Sequence, residues 1–147
     1  TSSGLTGVAW SGSQFVAVGQ DSTILTSPDG HTWKVQNSST DQYLFEVAWS
    51  DSQFVAVGSS GTILTSPDGR TWTAQHSGTD TDQYLNGVAW SDSQFVAVGS
   101  SGTILASPDG RTWTAQHSGT SHSLYGVAWS DSQFVAVGSS GTILTSP

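Results

Sequence analysis

Residues 47–79 of this 147-residue chain read VAWSDSQFVAVGSSGTILTSPDGRTWTAQHSGT. Residues 88–120 repeat this stretch at every position except one, where Ala106 replaces Thr65, and residues 127–147 are identical to residues 47–67. A more divergent copy begins at Val8. The tryptophans near the start of the copies, at positions 10, 49, 90 and 129, are spaced by 39, 41 and 39 residues. Repeats of this length are typical of helical pairs, propeller blades or long solenoid coils.

The short segments within one copy distinguish among these architectures. In the second copy they span residues 46–49, 53–58, 62–65 and 71–75, and they are rich in β-branched and aromatic residues. Turn-forming Ser, Asp, Gly and Pro separate them. No window places apolar residues at i, i+3, i+4 and i+7 over three helical turns, which argues against helical repeats. The sequence therefore predicts a four-stranded antiparallel meander as the repeating unit.

The second segment indicates how these sheets pack. Phe54 and Ala56 point to one side of the expected strand, and Val55 and Val57 point to the other. Both faces are apolar, so each sheet needs a neighbour on each side, whereas a sandwich with one solvated face would show polar alternation. We predict an all-β fold, a β-propeller of four-stranded antiparallel blades of about 40 residues. It forms a single repeat domain over 1–147, with blades at approximately 7–37, 46–78 and 87–119 and an incomplete blade at 126–147.

One turn in each copy resembles a known family. Residues 27–33 read SPDGHTW, and residues 66–72 and 107–113 both read SPDGRTW. These segments resemble the Asp-box, or BNR repeat, of sialidase-like β-propellers, although the usual pattern has one more residue between Asp and Trp. The near-identity of the copies is also typical of a recently amplified or designed symmetric propeller.

The resemblance implies a structural hairpin between the third and fourth strands of a blade. Physical chemistry gives these turns the same role, because Asp accepts turn amides, Gly permits a positive φ and Trp packs back onto the sheet. We therefore expect the turn carboxylates to be structural, not catalytic. The residues assigned to this role are Asp29, Gly30, Trp33, Asp68, Gly69, Trp72, Asp109, Gly110 and Trp113.

Charge and composition exclude several partners. Three basic residues stand against eleven acidic ones, for a net charge of −8. This balance argues against nucleic acid as a partner and against an anionic membrane surface, and no stretch approaches the ~20 apolar residues of a spanning helix. Without cysteine there is no disulfide framework and no thiolate metal site. The compartment stays open, with an extracellular location slightly favoured.

Catalysis is not expected. The sialidases that the turns resemble use an arginine triad, a tyrosine nucleophile assisted by glutamate, and an acidic residue. This chain has two arginines, both inside the Asp-Gly turns, and one glutamate, Glu46. The recurring aspartates Asp51, Asp92 and Asp131 are assigned to solvent-facing turns. His76 and His117 are equivalent positions in separate blades, so we expect no obligatory metal and no cofactor.

The segments that differ between copies are the connections between blades, at 37–45, 77–86 and 118–125. We expect them at the end of the propeller opposite the Asp-Gly turns. They place aromatic rings beside polar groups, a combination that suits sugars. The candidate ligand-binding residues are Asp41, Tyr43, Asp82, Tyr84, His122 and Tyr125. In the alternative interpretation, each tyrosine helps Leu44, Leu85 or Leu124 to plug the gap between adjacent blades.

Counting segments gives three full blades and three further strands, and an open fan leaves its terminal faces in water. We expect two chains to meet head to tail as a homodimer with a ring of about eight blades. The alternatives are a four-bladed monomer and a fragment of a larger sialidase-like propeller. The expected function is a non-catalytic binding module or scaffold that self-associates, with glycan or protein recognition by the inter-blade loops. A structural or designed symmetric propeller without a natural ligand is the alternative.

Overall fold

The structure, a computed structural model, describes residues 2–78 and 83–147. These residues contain four antiparallel sheets, each a simple meander, which we number as blades 1 to 4. Blade 1 consists of β1 (Leu5–Trp10), β2 (Phe15–Gly19), β3 (Ile24–Ser27) and β4 (Lys34–Gln36). Blade 2 consists of β5 (Leu44–Trp49), β6 (Phe54–Gly58), β7 (Ile63–Ser66) and β8 (Thr73–Gln75). Blade 3 consists of β9 (Leu85–Trp90), β10 (Phe95–Gly99), β11 (Ile104–Ser107) and β12 (Thr114–Gln116). Blade 4 consists of β13 (Leu124–Trp129), β14 (Phe134–Gly138) and β15 (Ile143–Thr145).

The predicted all-β fold of four-stranded antiparallel blades is confirmed, with shifts at the strand ends. The innermost strand β5 begins at Leu44, two residues before the segment that the sequence indicates, and Phe45 is the extra residue of a bulge. Close packing of the backbone permits this extension, because a Cβ on Gly58 would lie 2.0 Å from the carbonyl oxygen of Tyr43. The outer strand β8 begins only at Thr73, because Trp72 belongs to the preceding turn.

The blades follow one another around an arc in which the inner strands β1, β5, β9 and β13 adjoin in turn. We call the side that a blade turns to its predecessor the leading face and the opposite side the trailing face. In blade 2 the leading face carries Phe54, Ala56 and Trp72, which pack in one cluster with Val16 and Val18 of blade 1. The trailing face of the same blade carries Val55, Val57 and Ile63, which pack against blade 3. The prediction that the central strand is buried on both sides is therefore confirmed.

The two ends of the blades differ in what they carry. At one end, which we call the loop end, the turn between the second and third strands of a blade meets the connection between blades. In blade 2, the Ser59 amide of this turn donates to the Tyr43 carbonyl of the connection at 2.9 Å. The Ser-Pro-Asp-Gly turns lie at the other end, as predicted. The helices in the described ranges are three-residue 3₁₀ turns, and none of them is long or apolar enough to cross a membrane.

Candidate functional site

The Ser-Pro-Asp-Gly turns are built around one carboxylate. In blade 2 the Asp68 Oδ1 atom accepts the amides of Arg70 at 2.8 Å and Thr71 at 2.9 Å. The Ser66 hydroxyl accepts the Gly69 amide at 2.8 Å. The Trp72 Nε1 donates to the Gly69 carbonyl at 2.8 Å, which folds the ring back onto the sheet. Blades 1 and 3 repeat this network around Asp29 and Asp109.

These backbone amides change the acidity of the aspartates. Amide donation from Thr32 and then His31 lowers the pKa of Asp29 to about 2. The pKa values of Asp68 and Asp109 are lowered in the same way, first by the amides of Thr71 and Thr112. A carboxylate that already accepts two turn amides and stays ionised is suited to holding a turn, whereas a general acid needs a raised pKa. The geometry thus agrees with the structural role expected for these residues.

The same turns also lock neighbouring blades together. Gly69 has φ +76°, and a Cβ there would approach Val16 Cγ2 of blade 1 to 3.0 Å, so the turn requires glycine. The Gln53 Nε2 of blade 2 donates to the Asp109 carbonyl of blade 3 at 2.7 Å, and Gln14 donates to the Asp68 carbonyl in the same manner. Sequence reasoning missed this glutamine, although its recurrence in every copy was the available signal.

At the loop end the structure separates the tyrosines from the leucines. Leu44, Leu85 and Leu124 are fully buried between blades. Tyr43 and Tyr84 are 45% and 51% exposed, and the corresponding exposure of Tyr125 is 59%. The interpretation that these side chains plug the gap between blades is therefore right for the leucines, whereas the tyrosine rings stay about half exposed. One ring has an aromatic neighbour, since Tyr84 lies 6.0 Å from Phe45 between ring centroids.

The polar groups beside these tyrosines mostly bind to the protein itself. Asp41 is exposed and accepts the Gln42 side-chain amide at 2.8 Å. His122 is exposed as well, and its Nδ1 pairs with the Thr142 hydroxyl at 2.8 Å. Asp82 lies outside the described residues. The structure thus places Tyr43, Tyr84, Asp41 and His122 at the loop ends of three successive blades, on one side of the molecule, without gathering them into one pocket.

In blades 1 and 3, the bulge at the start of the inner strand carries a contact that sequence reasoning missed. The Thr6 hydroxyl donates to the Leu44 carbonyl at 2.7 Å, and the Asn86 side-chain amide donates to the Leu124 carbonyl at 2.9 Å. Both bonds tie an inner strand to the inner strand of the next blade. These positions differ in identity between copies, and in blades 1 and 3 the side chains there bond to the next blade.

The strongest departure from a uniform repeat lies at the two terminal faces. The leading face of blade 1 exposes Val8 by 60% and Trp33 by 38%. The trailing face of blade 4 exposes Val137 by 46% and Ile143 by 69%. Their counterparts between blades 1 and 2 and between blades 2 and 3 are buried. Two apolar sheet faces therefore meet water, as expected for an open fan.

Groups with catalytic chemistry are scattered. Glu46 is half-buried on the inner strand of blade 2, and burial raises its pKa, against a weaker opposing hydrogen bond from the Val47 amide. Asp51, Asp92 and Asp131 are exposed in turns with φ near +70°. Within residues 2–78 and 83–147, no three His, Asp or Glu side chains gather in a way that could hold a metal ion.

Comparison with known proteins establishes the fold. No family model and no curated protein matches the sequence. Among solved structures, the chain is similar to the computationally designed Ika4 protein, with a TM-score of 0.80, 16% identity and coverage of 99% of this chain and 92% of that one. It is also similar to the designed Ika8 protein, with a TM-score of 0.79, 17% identity and coverage of 99% and 46%. YCF48 from Cyanidioschyzon merolae follows with a TM-score of 0.76, 20% identity and coverage of 100% and 54%.

The neighbours differ in length. The chain spans about half the length of Ika8 and of YCF48 and nearly the whole of Ika4. At identities of 16–20% the similarity shows the fold alone. The chain is a β-propeller in kind, and its four sheets are blades.

Proposed function

We propose that this chain is a non-catalytic propeller scaffold that closes its ring by head-to-tail pairing of two copies. The trailing face of blade 4 in each copy covers the leading face of blade 1 in the other, which gives about eight blades. The observation that carries the proposal is the pair of exposed terminal faces, centred on Ile143 at one end and Trp33 at the other. Uncovered apolar sheet faces of this kind mark interaction surfaces.

The two faces match because the molecule already contains the interface they would form. Val137 and Ile143 occupy the positions of Val57 and Ile63, which pack on blade 3. On the opposite face, blade 1 repeats the residues by which blade 2 packs on its predecessor, namely Val8, Trp10, Phe15, Ala17, Leu25 and Trp33. A joint between copies can thus reproduce the joint between blades 1 and 2, and two such joints give a closed cyclic dimer.

Polar contacts support the same arrangement. Gln133 is exposed in blade 4 and corresponds to Gln14 and Gln53, whose side chains donate to the Asp carbonyl of the next blade. Across a joint between copies, its acceptor is the Asp29 carbonyl of the second copy. The closed four-bladed monomer receives less support, because Val8 and Ile143 are exposed in the described arc.

Solution mass tests the proposal. Light scattering during size-exclusion chromatography should give about twice the chain mass of 15.3 kDa. Ile143→Asp should halve that mass, because an unpaired carboxylate cannot be buried at the joint. Ala115→Asp is the matched control, since Ala115 is exposed on outer strand β12, away from both terminal faces. A monomeric parent chain contradicts self-association, and a dimer that Ile143→Asp leaves intact contradicts the proposed joint.

The exposed tyrosines support a second function, recognition of a glycan or a protein by the loop end. Tyr43 and Tyr84 occupy the same position before the inner strands of blades 2 and 3, Tyr125 lies two positions further along in blade 4, and several weak sites on a rigid ring gain avidity. The test is a glycan array probed with the parent chain and with Tyr43→Ala and Tyr84→Ala. Signals that both variants lose support glycan binding. A silent array contradicts it and leaves the scaffold without a glycan ligand.

The turn network supports the resemblance to Asp-box propellers. In each of blades 1 to 3, one aspartate accepts two turn amides and the following tryptophan donates to the turn glycine. Membership of that family, like the absence of catalysis, is part of this proposal. A sialidase assay on the purified chain tests the catalytic part, and turnover above the level of a Glu46→Gln variant contradicts it.

A further inference from the structure

A groove of about 650 Å³ lies between blades 3 and 4. Val96, Ile104 and Ala106 line it on the side of blade 3, and Trp129, Phe134 and Leu144 line it on the side of blade 4. The groove is separate from both terminal faces, because it opens between two blades that already pack together.

The corresponding space between blades 1 and 2 holds a tryptophan. Trp72 is 4% exposed and lies 6.3 Å from Phe54 between ring centroids, in one cluster with Val16 and Ile24. Trp113 takes the same place between blades 2 and 3, 6.3 Å from Phe95. In blades 1 to 3 the aromatic contacts form a row of Trp, Phe and Trp, whereas blade 4 has the Trp129–Phe134 pair.

The walls of the groove are more open than the walls of the occupied spaces. Ile24 and Ile63 are 0% and 1% exposed, whereas their counterpart Ile104 is only partly buried. Phe54 and Phe95 are fully buried, while Phe134 retains 6% exposure. The groove therefore has the shape and the apolar lining needed to hold a tryptophan ring.

A free strand edge borders this groove. In blade 2 the third strand pairs with the outer strand, with Ile63 opposite Gln75 and Thr65 opposite Thr73. In the part of blade 4 that the structure describes, β15 pairs with β14 and has no second strand beside it. Its outward backbone N–H and C=O groups can accept another strand.

We propose that the groove is a strand-addition site for an extended peptide with the chemistry of residues 68–76, DGRTWTAQH. The peptide pairs with β15, and its tryptophan enters the groove against Phe134. The reason for this occupant is continuity with the interfaces already present, since blades 2 and 3 hold the same segment against the same residues. The proposal does not depend on self-association.

A polar group is in place for the turn of the peptide. Gln94 lines the groove and corresponds to Gln14 and Gln53, which donate to the carbonyls of Asp68 and Asp109. Its side-chain amide can make the same bond to the aspartate carbonyl of the bound peptide. The site therefore selects an Asp-Gly turn followed by a tryptophan, not apolar peptides in general.

Titration with a labelled peptide tests the site. Fluorescein-DGRTWTAQH should bind to the full chain saturably, with one peptide per chain by fluorescence anisotropy. The peptide DGRTATAQH, which lacks the indole, should bind at least about tenfold more weakly, because a buried tryptophan is a typical hot spot. Absence of saturable binding, or equal affinity for the two peptides, overturns the proposal.

Variants of the protein locate the site. Ala106→Trp fills the groove from within and should abolish binding while the far-UV circular dichroism spectrum stays unchanged. Gln94→Ala should weaken binding about fivefold, the value of a typical hydrogen bond, whereas the matched variant Gln133→Ala should leave the peptide affinity unchanged. If Ala106→Trp fails to fold, the comparison of Gln94→Ala with Gln133→Ala tests whether the peptide binds in the groove. Binding that both Ala106→Trp and Gln94→Ala leave intact places the peptide on another strand edge and overturns the proposal.

Discussion

The inner interfaces and the terminal faces of this molecule contain the same residues in opposite environments. Ile63 is 1% exposed between blades 2 and 3, and Ile143, at the same place in blade 4, is 69% exposed. Val57 and Val137 differ in the same way, at 0% and 46%. The strand pairing around them is identical in register. Burial in this protein is therefore set by the neighbouring blade, while the blade itself is set by its own sequence.

The tryptophans of the Asp-Gly turns show the same contrast. The Trp72 Nε1 donates to Gly69 at 2.8 Å and the Trp33 Nε1 donates to Gly30 at 3.1 Å, so both turns form. Trp72 is nevertheless 4% exposed and Trp33 38% exposed. A turn depends on residues within seven positions of one another, whereas burial depends on a sheet about 40 residues away.

The largest expected effect compares these two tryptophans. Trp72→Ala should lower the free energy of unfolding by about 3–5 kcal/mol, because it empties a packed space between two blades. Trp33→Ala should cost less, because Trp33 is 38% exposed in the single chain, and in the proposed dimer its cost should fall on dilution. Denaturant unfolding at two protein concentrations measures both. A cost below about 1 kcal/mol for Trp72→Ala contradicts its core role.

The isoleucines give the next test. Ile63→Ala should cost about 2–5 kcal/mol through lost burial and the cavity left behind. Ile143→Ala should stay within about 0.5 kcal/mol in the monomer, as is usual for exposed positions. Urea unfolding at protein concentrations that light scattering shows to be monomeric provides the comparison. Equal costs for the two variants contradict the difference in burial.

The turn aspartates provide a smaller effect that does not depend on a neighbouring blade. Asp68→Ala should cost about 1 kcal/mol at pH 7 through the lost amide bonds. The folded-state pKa of Asp68 is lowered, so this stabilisation is present above the unfolded pKa near 4 and is lost as the pH falls toward the folded value. Unfolding measured from pH 7 down to pH 2 should show the parent chain and the variant converging. If the difference in free energy of unfolding between the two proteins widens in acid, the structural role of the Asp68 carboxylate is contradicted. Asp68→Asn, which keeps an acceptor oxygen without titrating, is the control.

The smallest expected effect concerns Glu46 on the inner strand of blade 2. The inner strands of the other blades have glycine at the same position. Burial raises the pKa of Glu46, so folding penalises its ionised form and stability falls as the pH rises through the interval between the unfolded and folded values. Glu46→Gln should therefore stabilise the chain at pH 7 by less than about 1 kcal/mol, with no gain at pH 3. Thermal unfolding at the two pH values checks this. A variant that is less stable at pH 7 contradicts the stated cause.

Most of the fold could be predicted because the repeat supplies its own evidence four times over. The alternation of Phe54, Val55, Ala56 and Val57 predicts a strand buried on both sides, and the structure confirms it. The strand ends were less predictable. Leu44 extends β5 because Gly58 lets the Tyr43 carbonyl approach, and that approach involves residues 15 positions apart.

The candidate site could be predicted only in part. The sequence pointed to the tyrosines and leucines of the connections together, yet only the packed structure shows that Leu44 turns inward and Tyr43 outward. The sequence also placed Asp41 and His122 beside the aromatic rings as candidate ligand-binding groups. In the structure Asp41 is hydrogen-bonded to Gln42, and His122 is hydrogen-bonded to Thr142. The groove beside β15 could not be predicted from local pattern, since its walls come from two blades.

The sequence by itself determined the blade, the turn and their repetition, because strand alternation and an Asp-Gly turn need only neighbours within one copy. The tertiary structure alone decided which identical residues are core and which are surface. Val47 and Val8 share a position in the repeat, at 4% and 60% exposure. The physical reason is that an apolar side chain is stabilised only when another surface removes it from water, and that surface belongs to the next blade.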